Sequence, residues 1–85
     1  MKIIGVLNPF DLIQTFYVYK DGEQIDIMQG KMKDVSEIIF TLSQKHNVNQ
    51  IDLSGPKVYV KGIVKKIKKQ EMQKYSKDTL KFNFI

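Results

Sequence analysis

The side chains of this 85-residue chain that could do chemistry are few and scattered. Carboxylates at Asp11, Asp26 and Asp52 could hold divalent cations for a metal-dependent nuclease, but only if the fold made them converge, and their spacing promises no convergence. His46 is the single histidine, so neither a metal site nor a Ser-His-Asp relay can be built around it alone. At the end of a helix it is expected to be solvated, with its charge favourable toward the helix C-terminus. Glu37 and Ser54 read as helix-capping residues rather than as an acid and a nucleophile. Cysteine is absent, which excludes thiolate ligands, cysteine nucleophiles and disulfides. No phosphate-cradling Gly-x-x-x-x-Gly-Lys-Ser/Thr loop occurs. The expectation is a chain with no catalytic residue, no metal ligand and no cofactor.

Charge is the other chemical resource. The formal net charge is +5, and every basic residue other than His46 is a lysine. Residues 57–77 hold eight lysines against one acid, Glu71, whereas the rest of the chain holds six lysines against eight acids. The positive charge is therefore local, as an electrostatic footprint would be. Lys57, Lys61, Lys65, Lys66, Lys68 and Lys69 are the candidate contacts to nucleic-acid phosphates, with binding that falls steeply in salt. The missing arginine fork argues for weak sequence specificity. The competing readings are a solvated helix face, in a lysine-rich coding style, and an acidic protein partner.

The elements that must carry these residues follow from hydrophobic period. Ile3 to Leu7 is apolar on both alternating faces, as a central strand covered on both sides would be. Asn8 to Asp11 reads as a turn. Thr15 to Lys20 and Gln24 to Met28 flank Asp21-Gly22, a two-residue hairpin signal that places Lys20 opposite Glu23, Val18 opposite Ile25 and Phe16 opposite Ile27, with Tyr19 opposite Gln24 and Tyr17 opposite Asp26. Asp34 and Glu37 match a capping box ahead of Val35, Ile38, Ile39 and Leu42, a helix running to about His46. Gln50 to Leu53 is a short strand. Ser54 is the candidate N-cap of a second helix, with Tyr59, Val60, Ile63, Val64 and Ile67 on one side and lysines opposite. Lys57 to Lys61 also alternates and is compatible with a strand instead. Leu80, Phe82 and Phe84 alternate in a terminal strand. The whole is one domain over residues 1–85: an α/β (α+β) fold of topology βββαβαβ, whose five-stranded mixed sheet has the order 3-2-1-4-5.

This order resembles the ribonuclease H-like fold, shared by Holliday-junction resolvases and by the lobes of actin-like ATPases. Ile3-Ile-Gly-Val-Leu-Asn-Pro9 followed by the Asp21-Gly22 hairpin is similar to the opening strand and hairpin of the resolvases. Ser54-Gly55-Pro56 with Gly62-Ile63 is similar to the strand-to-helix turn of actin-like proteins that act in tRNA threonylcarbamoylation. The resemblance implies a leading metal-binding aspartate on the first strand, where this chain has Val6, Leu7 and Asn8. It also implies a metal ligand at the position of Asp52, which is left without its main partner. One such lobe cannot close a nucleotide cleft. The expected function is thus that of an inactive, pared-down ribonuclease H-like domain.

Such a module would work by protein association, with itself as a homodimer or with another protein. The candidate interface residues are Tyr17 and Tyr19 on the hairpin and Leu80, Phe82 and Phe84 on the terminal strand, the latter through addition of strand to strand. The compact style suits an accessory protein of a phage or mobile element. No signal peptide or membrane span is legible, so a cytoplasmic protein without a membrane partner is expected.

Overall fold

The computed structural model describes residues 1–69 and 80–85. Strands β1 (Lys2–Val6), β2 (Ile13–Lys20) and β3 (Glu23–Lys31) come first, and a 3₁₀ turn at Met32–Asp34 leads into helix α1 (Val35–His46). Strand β4 (Gln50–Ser54), helix α2 (Lys57–Lys69) and strand β5 (Lys81–Phe84) follow. The sheet order is β3-β2-β1-β4-β5, antiparallel across β3, β2 and β1 and parallel across β1, β4 and β5. The Lys57 to Lys61 segment is helical, which settles the helix-or-strand alternative.

Both helices lie on one face of the sheet, where Ile3, Phe16, Val18, Ile51 and Leu53 pack with Ile38, Ile39, Val60, Ile63 and Ile67 in a single core. The expectation that β1 is covered on both sides is thereby corrected. Both crossovers run to a parallel strand and advance in the same direction across the sheet, so the usual hand places their helices on the same side. Along β1, Ile3 and Gly5 are buried, while Ile4 is half-buried and Val6 exposed.

The hairpin register also differs from the expected one. Lys20↔Glu23 and Tyr19↔Gln24 hold, but a bulge follows, and the pairs become Val18↔Asp26, Tyr17↔Ile27 and Phe16↔Met28. One extra residue, Ile25, is taken up in β3 and all later side chains change face. Asp26 consequently turns toward the helices and Ile27 toward the open side.

Two caps differ as well. Asp34 occupies the N-cap position of α1 with φ −98° and ψ 1°, away from the extended conformation a cap needs, and its side chain makes no capping bond. The 3₁₀ turn supplies a backbone bond there instead, from Val35 N–H to Met32 O. At α2 the first helical carbonyl is that of Pro56, which accepts from Val60 N–H at 2.9 Å, so Pro56 rather than Ser54 holds the cap position. The C-terminus of α1 ends as its sequence suggests, on left-handed Asn47 (φ 53°), with Val48 N–H donating to Ser43 O at 3.0 Å.

Candidate interaction surface

Among the described residues nothing lies on the second face of the sheet. The registers place Ile27, Tyr17, Ile4, Asp52 and Asn83 in one continuous row across all five strands of that face. A second row runs Gln29, Thr15, Val6, Ser54, and the Tyr19↔Lys2 pair lies on the other flank. Tyr17 and Tyr19 stand on this face with ring centroids 6.4 Å apart and planes tilted by 43°. Both are half-buried.

Asp52 is the unusual member of the row, because its side chain is only 8% exposed although it faces the open side. Asn83 Nδ2 donates to Asp52 Oδ1 at 3.0 Å, Gln50 Nε2 approaches the same oxygen at 3.4 Å, and Lys2 Nζ lies 3.6 Å from Oδ2. The carboxylate is thus satisfied from three sides and ties β1, β4 and β5 together, as a buried charge must be. Asn8 lies four residues beyond Ile4, the residue that pairs with Asp52, a separation of roughly 13 Å along an extended strand.

The open face continues into the loop between Val6 and Ile13. Gln14 is almost fully buried and is the pin of that loop. Its Nε2 donates to the carbonyls of Asn8 and Asp11, each at 2.9 Å, and its Oε1 accepts from Asn8 N–H at 2.7 Å. Asn8 Oδ1 accepts from Phe10 N–H at 3.0 Å, and Asp11 N–H donates to Asn8 O at 3.2 Å, which closes the turn. On this fixed frame Phe10 is 91% exposed and Leu12 87% exposed. Val6 and Ile13, at the two ends of the loop, are also exposed, so exposed apolar side chains occur both on the loop and on the adjoining sheet. Sequence reading missed Gln14, Phe10 and Leu12; the signal was the apolar content of a segment whose Pro9 and polar residues already marked it as a turn.

The terminal strand falls differently from the tyrosines. Leu80 is buried, Phe82 packs partly against the core and Phe84 remains exposed. β5 is an edge strand of four residues. Lys81 and Ile85 donate inward to Asn49 O and Leu53 O, so by alternation the backbone of Phe82 and Phe84 points outward.

The three carboxylates considered for metal chemistry are kept apart. Asp52 faces the open side, Asp26 the helical side of an edge strand, and Asp11 sits in the β1–β2 loop. No group of three or more His, Asp or Glu side chains comes together among the described residues.

Asp26 instead meets the end of α1. His46 Nε2 lies 2.7 Å and Lys45 Nζ 3.0 Å from Asp26 Oδ2, and Ile27 N–H donates to Oδ1 at 2.8 Å. His46 is therefore half-buried and paired, not merely solvated. The hydrogen bonds from His46, Lys45 and the Ile27 N–H, in that order, hold the Asp26 carboxyl down at about 2, from an ordinary 3.8. Between those values the unfolded chain binds the proton that the folded one refuses. The stabilisation is complete above about pH 4 and disappears as the pH falls through about 2. Urea midpoints measured from pH 5 to pH 2 are expected to fall less steeply for Asp26→Asn than for the wild type, and parallel curves would contradict the assignment.

On the opposite side of the molecule, Lys57, Lys61, Lys65, Lys66, Lys68 and Lys69 are all exposed along α2. Lys57, Lys61, Lys65, Lys66 and Lys69 make no ion pair among the described residues, where the pairs are Lys2–Asp52, Lys45–Asp26 and His46–Asp26. An apolar groove borders this helix, where Val58, Tyr59, Gly62 and Ile63 face Met32 and Val35. Gly62 is an interior helix residue that costs about 1 kcal/mol relative to alanine.

No protein-family model matches this sequence, and comparison with curated proteins and with solved structures finds no match. No described helix is long and apolar enough to cross a membrane.

Proposed function

We propose that this chain is a non-catalytic association domain built on a ribonuclease H-like sheet, and that two copies pair through the sheet face that no described element covers. The ribonuclease H-like reading is supported by the strand order 3-2-1-4-5, the antiparallel opening hairpin and the parallel β1, β4 and β5. The non-catalytic reading is supported by the separation of Asp11, Asp26 and Asp52 and by Val6, Leu7 and Asn8 at the end of the first strand.

The observation that carries association is the apolar row Ile27–Tyr17–Ile4, left facing outward and continued by Val6, Ile13, Leu12 and Phe10. Sheet faces of this kind pack on one another at about 10 Å with strands nearly aligned. A second copy fits because the central charge, Asp52, is already neutralised by Lys2, and the α2 lysines sit on the far layer, pointing away from the joint. A patch of roughly 20 by 20 Å on each copy buries on the order of 1,000 Å² in total, the lower limit for a specific dimer.

Sedimentation across a concentration series tests this. The wild type is expected to pass from monomer to dimer, and Tyr17→Glu to remain monomeric with an unchanged circular-dichroism spectrum. A wild type that stays strictly monomeric at the highest concentration contradicts the proposal. The exposed lysines of α2 support a second reading, attachment to a polyanion, which is favoured if the protein is retained on duplex DNA in low salt while remaining monomeric in sedimentation.

A further inference from the structure

We propose that the groove between α2 and the start of α1 receives an amphipathic helical segment of a partner protein, with apolar anchors and acidic flanks. The groove has a volume of about 580 Å³ and is an open trough rather than an enclosed cavity. That volume is within the roughly 300–1,000 Å³ typical of ligand sites. Met32, Val35 and Ile63 supply its apolar lining, and the Tyr59 hydroxyl is turned to Met32 Sδ at 3.2 Å, which leaves the phenol ring as wall. This surface is separate from the sheet face and does not depend on pairing there.

Gly62 is what points to an occupant. Its φ is ordinary for a helix, and a Cβ built on it meets nothing within 4 Å outside its own helical turn. Neither the backbone nor the packing of this chain therefore requires glycine at this place. What glycine provides is a gap in the wall of α2, where another backbone can come close. Val58, one turn earlier on the same side, is 87% exposed, an apolar anchor point beside the gap. The arrangement matches the way helices lie in grooves, through anchors spaced by about one turn.

Charge selects the kind of helix. Lys33 and Lys66 stand at the groove, and among the described residues no carboxylate lines it. Neither lysine makes an ion pair among the described residues. Lys57, Lys61 and Lys65 lie exposed on the same helix. A segment with aspartate or glutamate beside its apolar anchors meets opposite charge, whereas a basic one is repelled.

The test is selection from a displayed library of amphipathic helices, with apolar anchors fixed and flanking positions randomised, on the full chain and on Gly62→Leu. Leucine at this position keeps the helix, its Cβ meets nothing within 4 Å, and its side chain takes up space in the groove. Enriched helices are expected to carry acidic flanks, to bind the wild type about tenfold or more tightly than Gly62→Leu, and to move the amide resonances of Met32, Tyr59 and Ile63. Gly62→Ala is expected to raise the thermal midpoint by about 3–6 °C. Basic flanks, equal binding to Gly62→Leu, a lowered midpoint for Gly62→Ala, or no enrichment by a protein that retains duplex DNA on the same lysines would each overturn the proposal. Sheet-face dimerisation is unchanged in Gly62→Leu, so failure here is distinguishable from failure of that pairing.

Discussion

Phe16→Ala is expected to cost about 3–5 kcal/mol of folding stability, the range for removing a buried aromatic ring. Phe16 is 0% exposed on β2, and its ring lies over Gly5 of the central strand. A Cβ at Gly5 would stand 2.6 Å from Phe16 Cε1 and 2.8 Å from Leu53 Cδ2, so the ring occupies the space that the glycine leaves empty. With alanine at residue 16 there is no side chain on Gly5 to fill the hole, and the strands are fixed by their ladders on both sides. A loss of this size is a large part of the roughly 5–15 kcal/mol that holds a small domain together. Urea denaturation reads it directly. A loss under 1 kcal/mol would mean that the sheet can collapse onto the vacancy, contrary to the packing described.

Gly55→Ala is expected to cost about 2–4 kcal/mol, for two independent reasons that combine. Gly55 has φ +147°, a conformation that side-chain-bearing residues rarely adopt, and a Cβ there would collide with the carbonyl oxygen of Leu7. That oxygen belongs to a backbone held in place, since Leu7 N–H donates to Ser54 O at 2.8 Å. Gly22 is the internal control. It has φ +78° in the hairpin turn, but an added Cβ meets nothing within 4 Å. Gly22→Ala therefore carries the conformational cost alone, about 1 kcal/mol. Denaturation midpoints of the two variants should separate accordingly, and equal losses would show that contact with Leu7 adds nothing.

The strand order was legible because each element announced its period: Ile3 to Leu7 as a continuous apolar run, Val35 to Leu42 and Tyr59 to Ile67 at helical spacing, and Phe82 and Phe84 in alternation. The register of β3 was not. Alternation puts Ile25 and Ile27 on the core side of a regular hairpin, whereas the bulge leaves both exposed and turns Met28 and Asp26 inward, where Asp26 meets Lys45 and His46 at the end of α1. The one-sided cover of β1 was hidden for a similar reason. Ile4 and Val6 are apolar, and apolar residues on an open face look the same in sequence as residues beneath a helix. The loop pin was hidden because the partners of Gln14 are backbone atoms of Asn8 and Asp11, which carry no trace of the contact in their residue types. Of the candidate surfaces, the lysine face of α2 and the two tyrosines could be placed beforehand, while Phe10, Leu12 and the gap at Gly62 needed coordinates.

The two layers of this molecule differ in electrical character as well as in shape. The helical layer carries the lysines of α2, and the exposed side of the sheet carries an isoleucine–tyrosine row whose central aspartate is already compensated. The protein is therefore a plate with a permanent dipole. If an extended negative object binds this protein, the lysines of α2 are expected to turn the helices toward it and the open side of the sheet away.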